Sequence, residues 1–392
     1  MEARIKHIKE QFVGRFGCKP TDIFSSPGRI ELLGNHTDHN NGLVLVSSID
    51  LCILAAVRPT KDNKITFISE GYKKMVVKLE HLERKRFEFG KSIALIKGVV
   101  YKCKELGYNV GGFEVFCNST IFKGAGVSSS AAFEVLIAKI ISYYYNNDSI
   151  PALELAKIAQ FSEAVYFNKP CGLLDQSGIA LGGINFIDFK SIVNPKVEQV
   201  QWNSKDYQFV LINTGDDHSK LTHCYAAIKD DMKKVSEYFS QKVLRFVSKR
   251  NFNESKDNII AKHGENAYLR AKHYLEENHR VEKAFKYLKE DNYHGFLKQL
   301  SESGESSYYQ LKNCYIKDEN ENLPSALRYA KSFKGCYSRV HGGGFAGTML
   351  MVIPKDKLDS ILPTLIEKFT KENVMLVSLS DKGTTHLLEV ND

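Results

Sequence analysis

One segment in the first half of the chain limits the possible folds more than any other. Two glycines and three serines, in GAGVSSSAAFE from Gly124 to Glu134, stand before an apolar run that continues to Ile141. That run is long enough for a buried helix, so the serines fall at its N-terminus. Unpaired backbone N–H groups and the helix dipole favour an anion there, and glycine lets a phosphate approach the backbone. The segment predicts a phosphate-binding loop, although it lacks the ending of a P-loop and an ordinary helix cap is the alternative.

The organisation of the chain indicates two domains. Its 392 residues are enough for two hydrophobic cores. The first half alternates short β-branched runs, such as KITFI and FEVFC, with helical patterns, whereas residues 220–312 are almost continuously helical and charged. A glycine-rich turn, HGGGFAG from His341, then precedes an apolar run, a helix and a strand. We therefore expect an α+β protein with one domain in residues 1–200 and a second in residues 201–392. The Asn/Lys-rich pieces at 250–258 and 317–322 are predicted to be exposed connections.

Composition argues against several classes of function. The net charge is +8, but the positive residues are spread over mixed-sign helices, so nucleic acid is not an expected partner. The first residues, MEARIKHIKEQFVGRF, are charged throughout and helical in spacing, so we do not expect a signal peptide here. The most apolar segment, 42–57, is too short to span a membrane and reads as buried strands. Eight cysteines without a CxxC pair are expected to be reduced thiols of a cytoplasmic protein.

A second polar cluster, SSPGRIELLGNHTDHNNG from Ser25, lies between a Pro-Gly turn and an Asn-Gly turn. If Arg29 begins a short strand, Glu31 lies on the same face of that strand and residues 35–38 fall in the following loop. Carboxylates and amides discriminate well between hydroxylated ligands, because a buried polar group without its partner is penalised. The cluster is thus a candidate sugar-binding loop, and a turn with solvated side chains is the alternative.

A third cluster, SEAVYFNKPCGLLDQSG, contains two carboxylates. Glu163 lies late on a helix that Pro170 must end, and Asp175 follows a Cys-Gly turn at the start of another segment. Kinase chemistry needs a clamp on the transferred phosphoryl group, a cation and a carboxylate near the accepting hydroxyl. Arg29, Glu163 and Asp175 have the chemistry for these tasks. Taken singly, Glu163 fits a surface helix residue and Asp175 a helix cap equally well.

Three motifs, GRIELLGNHTDH, GAGVSSSAA and HGGGFAG, stand in the order and at the separations typical of the GHMP small-molecule kinases, and the first resembles that of galactokinases. The resemblance covers essentially the whole chain. It implies an N-terminal domain like domain 2 of ribosomal protein S5 and a ferredoxin-like C-terminal domain, with ATP and a sugar between them. It also implies transfer of the ATP γ-phosphate to the anomeric hydroxyl of galactose, with Mg²⁺ bound. The sequence indicates no obligatory protein partner.

Position by position, the resemblance assigns roles to residues of this chain. Asp175 would accept or orient the proton of the anomeric hydroxyl, while Arg29 lowers the pKa of that hydroxyl and stabilises developing charge. Magnesium would be held by Ser130 and Glu163. The sugar would be bound by Glu31, Asn35, His36, Thr37, Asp38 and Tyr225. The ATP phosphates would be wrapped by Gly124, Ala125, Gly126, Val127, Ser128, Ser129 and Ser130.

The sugar loop departs from the galactokinase pattern. Galactokinases usually read Gly-Glu-His-Thr-Asp-Tyr where this chain reads GNHTDH from Gly34. Asn35 removes a negative charge beside the sugar's C6, so a uronic acid would be repelled less, and plant galacturonokinases also lack that glutamate and carry histidine at the position of His39. Glu31, where galactokinases usually have asparagine, restores a charge nearby. We expect galactose as the substrate, with galacturonate or another C6-modified sugar, or N-acetylgalactosamine, as alternatives.

A function of another class is a non-catalytic regulator that binds galactose and ATP, as some galactokinase relatives do. Degraded motifs would indicate it. The phosphate loop keeps its three serines, and both Arg29 and Asp175 are present, which favours an active kinase.

Overall fold

The structure, a computed structural model, describes residues 1–121, 126–215, 222–316, 322–345 and 347–390. These residues form two β-sheets with helices packed around them, which confirms the predicted α+β class. The α-helices are α1 (Glu2–Phe16), α2 (Ser92–Glu105), α3 (Ser129–Tyr145), α4 (Ala152–Phe161), α5 (Leu174–Leu181), α6 (Thr222–Tyr238), α7 (Lys249–Glu254), α8 (Lys256–His263), α9 (Glu265–Lys289), α10 (Tyr293–Ser306), α11 (Asn322–Lys331) and α12 (Lys355–Phe369).

The larger sheet contains eight strands: β1 (Asp22–Leu33), β2 (Leu43–Thr60), β3 (Lys64–Ser69), β4 (Met75–Lys78), β5 (Gly112–Ser119), β6 (Ile184–Asp188), β7 (Lys196–Val200) and β12 (Thr385–Glu389). Six of them follow the order β12-β1-β2-β5-β3-β4, while β6 pairs with β2 and β7 with β6. The pair β3–β5 is parallel, and the others are antiparallel. β12 thus joins this sheet beside β1, although it is synthesised after all the other strands.

The smaller sheet is antiparallel, with the order β11-β8-β10-β9. Its strands are β8 (Tyr207–Asn213), β9 (Tyr337–Val340), β10 (Thr348–Pro354) and β11 (Val374–Val377). The glycine-rich turn that begins at His341 connects β9 to β10, so the smaller sheet presents this turn toward β1 of the larger sheet.

Hydrophobic burial accounts for the main elements. Ile8 and Phe12 of α1 are fully buried, as their helical spacing predicts. The apolar segment after Gly42 forms one long buried strand, β2. Helix α3 is buried along most of its length, which confirms the prediction for the run after the serines. Among the described helices, none has the length and apolar content needed to cross a membrane, and the eight cysteines are free thiols.

Two local predictions are wrong. β1 begins at Asp22 and not near Arg29, and the expected Pro-Gly turn lies inside this strand, where the pairing with β2 shifts register between Pro27 and Arg29. An irregularity of this kind accommodates a proline, which has no N–H for the ladder. The segment 250–258 is mostly exposed, as predicted, but it is helical and not a connection: it lies in α7 and α8, because Phe252 and the following Ile259 are buried in a core between helices. Residues 317–321 of the other expected connection lie outside the described part of the chain.

Candidate active site

The phosphate loop leads into α3 as predicted. Gly126 and Ser128 both have left-handed backbone conformations, with φ of 71° and 60°, and α3 begins at Ser129. The Arg29 N–H donates to the Val127 carbonyl oxygen at 3.2 Å, which ties the loop to β1. Side chains have little room here, since a Cβ on Gly126 would lie 2.7 Å from Thr348 Oγ1. Gly124 and Ala125, also predicted to bind phosphate, lie outside the described residues.

Arg29 and Asp175 meet although they are far apart in sequence. Arg29 Nε and Nη2 lie 2.8 and 2.7 Å from Asp175 Oδ1, and Nη1 donates to the Gly126 carbonyl at 2.6 Å. Ser128 Oγ donates to Asp175 Oδ2. Burial by itself raises the pKa of Asp175, but Arg29 and the Ser128 hydrogen bond outweigh it and hold this pKa below its ordinary value. The arrangement places an ionised carboxylate against the phosphate loop.

Glu163 lies in a π-helical turn, Ser162–Tyr166, that continues α4. Its buried carboxylate accepts hydrogen bonds from Ser130 Oγ at 2.9 Å and from Gln176 Nε2 at 2.8 Å. Lys169 Nζ also lies 2.8 Å from Glu163 Oε1. The structure therefore brings together Ser130 and Glu163, the two predicted metal ligands, and adds a lysine that the sequence reading did not single out.

The sugar loop is fixed by an extensive buried hydrogen-bond network. Asn35 Nδ2 donates to Glu31 Oε1 at 2.9 Å and to the Gly342 carbonyl at 2.7 Å. Its Oδ1 accepts from Ser307 Oγ at 3.2 Å and from Asn313 Nδ2 at 2.8 Å. The Asn35 amide therefore uses both donors and both acceptor positions inside the protein.

Glu31 faces the same network. Its Oε1 accepts from Arg339 Nη2 at 2.7 Å, and Arg339 is fully buried. Burial raises the pKa of Glu31 to about 6, although Arg339 and Arg29 both act to lower it. The charge that Asn35 lacks is thus present on Glu31, within hydrogen-bond distance of Asn35, as the sequence reading anticipated.

The other predicted sugar-binding residues differ in how their side chains are used. The Thr37 hydroxyl donates to the Gly34 and Leu43 carbonyls at 2.9 and 2.7 Å, so it shapes the loop itself. Asp38 Oδ1 accepts from the His39 N–H at 2.8 Å. The backbone of Gly172 passes so close to Asp38 that a Cβ there would overlap the carboxylate. Burial raises the pKa of Asp38, Lys229 opposes this effect, and nearby Asp175 adds to it.

His36 and Tyr225 lie side by side near the glycine-rich turn. Their rings stack with centroids 6.5 Å apart, and they bond to the Gly343 and Gly344 carbonyls, each at 3.0 Å. Burial lowers the pKa of His36 to about 4, so its imidazole is neutral at physiological pH. Burial raises the pKa of Tyr225 to about 12, and Lys169 lies near enough to oppose that shift.

The turn after β9 joins the two sheets at this site. His341 Nε2 accepts the backbone N–H of Glu31 at 3.1 Å, and carbonyls of the turn accept from Asn35 and Asn313. Gly344 permits a close approach, since a Cβ there would lie 2.1 Å from the Asn313 carbonyl oxygen. The turn therefore supports the sugar loop from the second sheet.

Sequence reasoning missed four residues of this region. Lys169, Gln176 and Arg339 contact predicted site residues. Arg339 is far from Glu31 in the sequence, whereas Lys169 and Gln176 lie 6 and 13 residues after Glu163, beyond the spacing that one helix brings together. Glu134 is fully buried in α3, and the Gln176 side chain lies close enough to its carboxylate to lower its pKa against the effect of burial. Its position as an acidic residue inside an apolar run is the sequence signal that could have identified it.

Comparison with known proteins was consistent in sequence and structure. The profile described as the galactokinase galactose-binding signature matches residues 10–59, and the GHMP kinases N terminal domain matches residues 94–183. A galactokinase of Thermotoga petrophila is 30% identical over 348 residues, covering 88% of this chain and 93% of the relative. A galactokinase of Clostridium tetani is 27% identical over 371 residues, covering 94% and 93%.

The fold agrees with these relatives. The crystal structure of Lactococcus lactis galactokinase complexed with galactose is similar with a TM-score of 0.85 at 25% identity, covering 98% of this chain and all of that chain. A mevalonate kinase of Methanococcus jannaschii shares the fold with a TM-score of 0.63 at 17% identity, covering 92% and 98% of the two chains. One relative is 30% identical over nearly its full length, and the galactose-binding signature matches the region of β1 and β2. This chain therefore belongs to the galactokinase family and has its two-domain GHMP kinase fold.

Proposed function

We propose that this protein transfers the γ-phosphate of ATP to the anomeric hydroxyl of galactose, giving galactose 1-phosphate and ADP. The observation that carries this proposal is the partly buried contact of Asp175 with Arg29 and Ser128, which joins a carboxylate to the phosphate loop. The named activity of the similar galactokinases and the galactose in the Lactococcus lactis structure support the same substrate.

Asp175 acts mainly by orienting the accepting hydroxyl. Its lowered pKa makes it a weak base, so early removal of the hydroxyl proton is not its strongest contribution. Phosphoryl transfer passes through a loose transition state, in which the attacking hydroxyl keeps its proton until late. A carboxylate fixed by Arg29 can hold the hydroxyl in line and receive the proton as the new bond forms. Arg29 also contacts the phosphate loop directly, where it stabilises the charge that develops on the transferred group.

ATP is the phosphoryl donor that membership of this kinase family implies. We assign its phosphates to the loop from Gly124 to Ser130, whose described part leads into and includes the N-terminus of α3. Ser130 and Glu163 fit a magnesium ion, because a hydroxyl and a carboxylate oxygen 2.9 Å apart are the hard oxygen donors that this ion prefers. Bound magnesium would neutralise phosphate charge during transfer.

The sugar-binding residues divide into two groups in this proposal. His36, Asp38 and Tyr225 supply groups that contact sugar hydroxyls; neutral His36 donates from Nε2 to the Gly343 carbonyl, which leaves Nδ1 as an acceptor for a hydroxyl. Asn35 and Thr37 act through the shape of the loop, since their side-chain polar atoms bond to the protein. Glu31 supplies the negative charge on this side of the pocket.

The position of Glu31 favours galactose over galacturonate. Its carboxylate lies 2.9 Å from the Asn35 amide. Compared with the usual galactokinase pattern, the carboxylate and the amide have exchanged positions 31 and 35, so the negative charge is moved to the neighbouring side chain and is not lost. A uronate at C6 would meet this charge. The paired Arg29 and Asp175 likewise favour an active kinase over a regulator, because a sensor has no need of a carboxylate fixed against the phosphate loop.

We also propose a division into domains near residue 200 and a cytoplasmic location. The composition shift near residue 200 and the two sheets support the division, and β12 of the C-terminal part pairs with β1 of the N-terminal part. The free thiols are compatible with a reducing compartment.

The test is ATP- and magnesium-dependent phosphorylation of galactose, galacturonate, glucose and N-acetylgalactosamine in parallel, with the position of the phosphate read by phosphorus NMR. Galactose 1-phosphate as the dominant product supports the proposal. A preference for galacturonate would refute the role given to Glu31, and no product from any sugar would favour the regulator.

A further inference from the structure

Lys169 bonds to Glu163 through both its backbone and its side chain. Its backbone N–H donates to the Glu163 carbonyl at 3.0 Å, and its Nζ lies 2.8 Å from Glu163 Oε1. The two partners differ in exposure, because the Glu163 side chain is 2% exposed and that of Lys169 is 60% exposed. A buried carboxylate is thus neutralised by an ammonium group whose side chain is open to solvent.

The Lys169 ammonium group contacts the same Glu163 oxygen, Oε1, that a metal ion would bind. Glu163 Oε1 also accepts the hydrogen bond of Ser130, so Ser130, Glu163 and Lys169 meet at one oxygen. Lys169 also lies close enough to Asp175 and Tyr225 to lower the pKa of each. Two cations on one oxygen repel each other strongly in a partly buried site. Lys169 and a divalent cation therefore compete for the same place.

We propose that Lys169 is a built-in counter-ion that occupies the metal position on Glu163 in the nucleotide-free protein and is displaced when the metal–nucleotide complex binds. The inference rests on the assignment of Glu163 and Ser130 as metal ligands in the proposed function. It accounts for the pairing of a buried carboxylate with an ammonium group before any metal arrives, since an unpaired buried charge is strongly unfavourable.

The proposal gives Lys169 a second partner after displacement. An ammonium that leaves Glu163 is next to the phosphate loop, where the phosphates of the incoming nucleotide offer negative charge. The free-energy cost of breaking the ion pair between Lys169 and Glu163 is thus offset only when the phosphates of a nucleotide are present. The metal alone has to compete with Lys169, whereas the metal with nucleotide does not, so the lysine couples metal binding to nucleotide binding.

The experiment measures binding of Mn²⁺, an EPR-visible substitute for Mg²⁺, with and without ADP. If the pair is closed about nine-tenths of the time, it weakens metal binding without nucleotide about tenfold. We expect Lys169→Met to bind Mn²⁺ alone about tenfold more tightly than wild type, and Lys169→Arg to remain close to wild type. The affinity ratio between Mn²⁺ with ADP and Mn²⁺ alone should fall in Lys169→Met.

Two controls separate the proposal from a general charge effect. Lys157→Met removes a positive charge paired with Glu154 on α4 and should leave Mn²⁺ binding unchanged. In a Glu163→Gln background there is no carboxylate to hold the ammonium, so adding Lys169→Met should change Mn²⁺ binding by less than about twofold. If Lys169→Met folds poorly in thermal unfolding, Lys169→Gln replaces it.

Unchanged or weaker Mn²⁺ binding by Lys169→Met would overturn the counter-ion role and favour a lysine that binds phosphate directly. An equal effect of Lys157→Met would overturn it as well. Wild-type protein that binds Mn²⁺ no better with ADP than without it would instead overturn the metal site itself, and the proposal with it.

Discussion

The contact between Asn35 and Glu31 gives a quantitative prediction for stability. Asn35 Nδ2 lies 2.9 Å from Glu31 Oε1, and both side chains are buried. Asn35→Glu brings a second carboxylate to this position, where two unit charges at an effective dielectric constant of ~20 repel by about 6 kcal/mol. Uptake of a proton is the easier response, because keeping a carboxyl of ordinary pKa protonated at pH 7 costs about 3 kcal/mol. We expect the free energy of unfolding to fall by about 3 kcal/mol.

The sign of the pH dependence follows from the same reasoning. The carboxyl that takes up the proton has a raised pKa in the folded protein, so it stabilises the fold at low pH and this contribution is lost as pH rises. At pH 5 the same proton uptake costs only about 0.7 kcal/mol. The deficit of Asn35→Glu should therefore shrink from about 3 to about 1 kcal/mol between pH 7 and pH 5.

The assay is urea unfolding of wild type, both single variants and the double variant at the two pH values. Glu31→Asn alone leaves the buried Arg339 without its carboxylate and should be destabilised by about 3–5 kcal/mol. Glu31→Asn with Asn35→Glu restores one carboxylate and should be more stable than either single variant. Asn109→Glu, at an exposed turn, is the control for added charge. A pH-independent deficit for Asn35→Glu, or a double variant less stable than both single variants, would refute the reasoning.

Three other substitutions test separate parts of the site. Asp175→Asn should lower kcat by about 10³-fold while the Kd for ATP, from calorimetry, changes less than about threefold, because the charge matters mainly during transfer. Glu163→Gln should raise the Mg²⁺ concentration for half-maximal ADP binding about tenfold, measured by fluorescence titration, because it removes the only carboxylate assigned to the metal. Glu134→Gln removes a carboxyl whose pKa burial raises well above its ordinary value. Above pH 4.5 the folded protein keeps a proton that the unfolded chain releases, so wild type should lose up to about 1.4 kcal/mol per pH unit relative to Glu134→Gln in urea unfolding.

Each of these has a result that would contradict it. Turnover of Asp175→Asn at the wild-type rate would remove the carboxylate from the mechanism. An unaltered magnesium response of Glu163→Gln would make this residue structural. Parallel stability curves for wild type and Glu134→Gln from pH 5 to pH 8 would mean that Glu134 has an ordinary pKa.

Local sequence patterns predicted the parts of the site that depend on local structure. The serine-rich start of α3 follows from an apolar run behind glycines, and Asp175 in the first turn of α5 follows from the preceding Cys-Gly turn. The charge exchange between positions 31 and 35 was also visible, because four residues separate them and the family pattern at both was known. Their hydrogen bond confirms that they are neighbours.

Local sequence patterns could not predict contacts between elements that are far apart in the sequence. Arg339 is a strand residue in a polar stretch, and only the packing of the turn after β9 against β1 buries it beside Glu31. The segment 250–258 is helical for a related reason, because burial of Phe252 and of Ile259, the residue after the segment, outweighs its polar composition. Pro27 likewise signalled a turn, whereas the sheet absorbs it as an irregularity of β1.

β12 is the last strand to be synthesised, yet it pairs with β1, the strand that contains Arg29. β12 pairs with β1 from Asp22 to Ser25, and Thr384 bonds to Ser26 Oγ at 2.8 Å. While the ribosome is still translating the second half, the backbone groups along this side of β1 have no partner, and such an open edge is a template for aggregation. In the nascent chain, β1 therefore lacks its pairing partner from Asp22 to Ser25 until residues 385–389 emerge. A chaperone that shields this edge during translation would act at the step where the chain is most vulnerable.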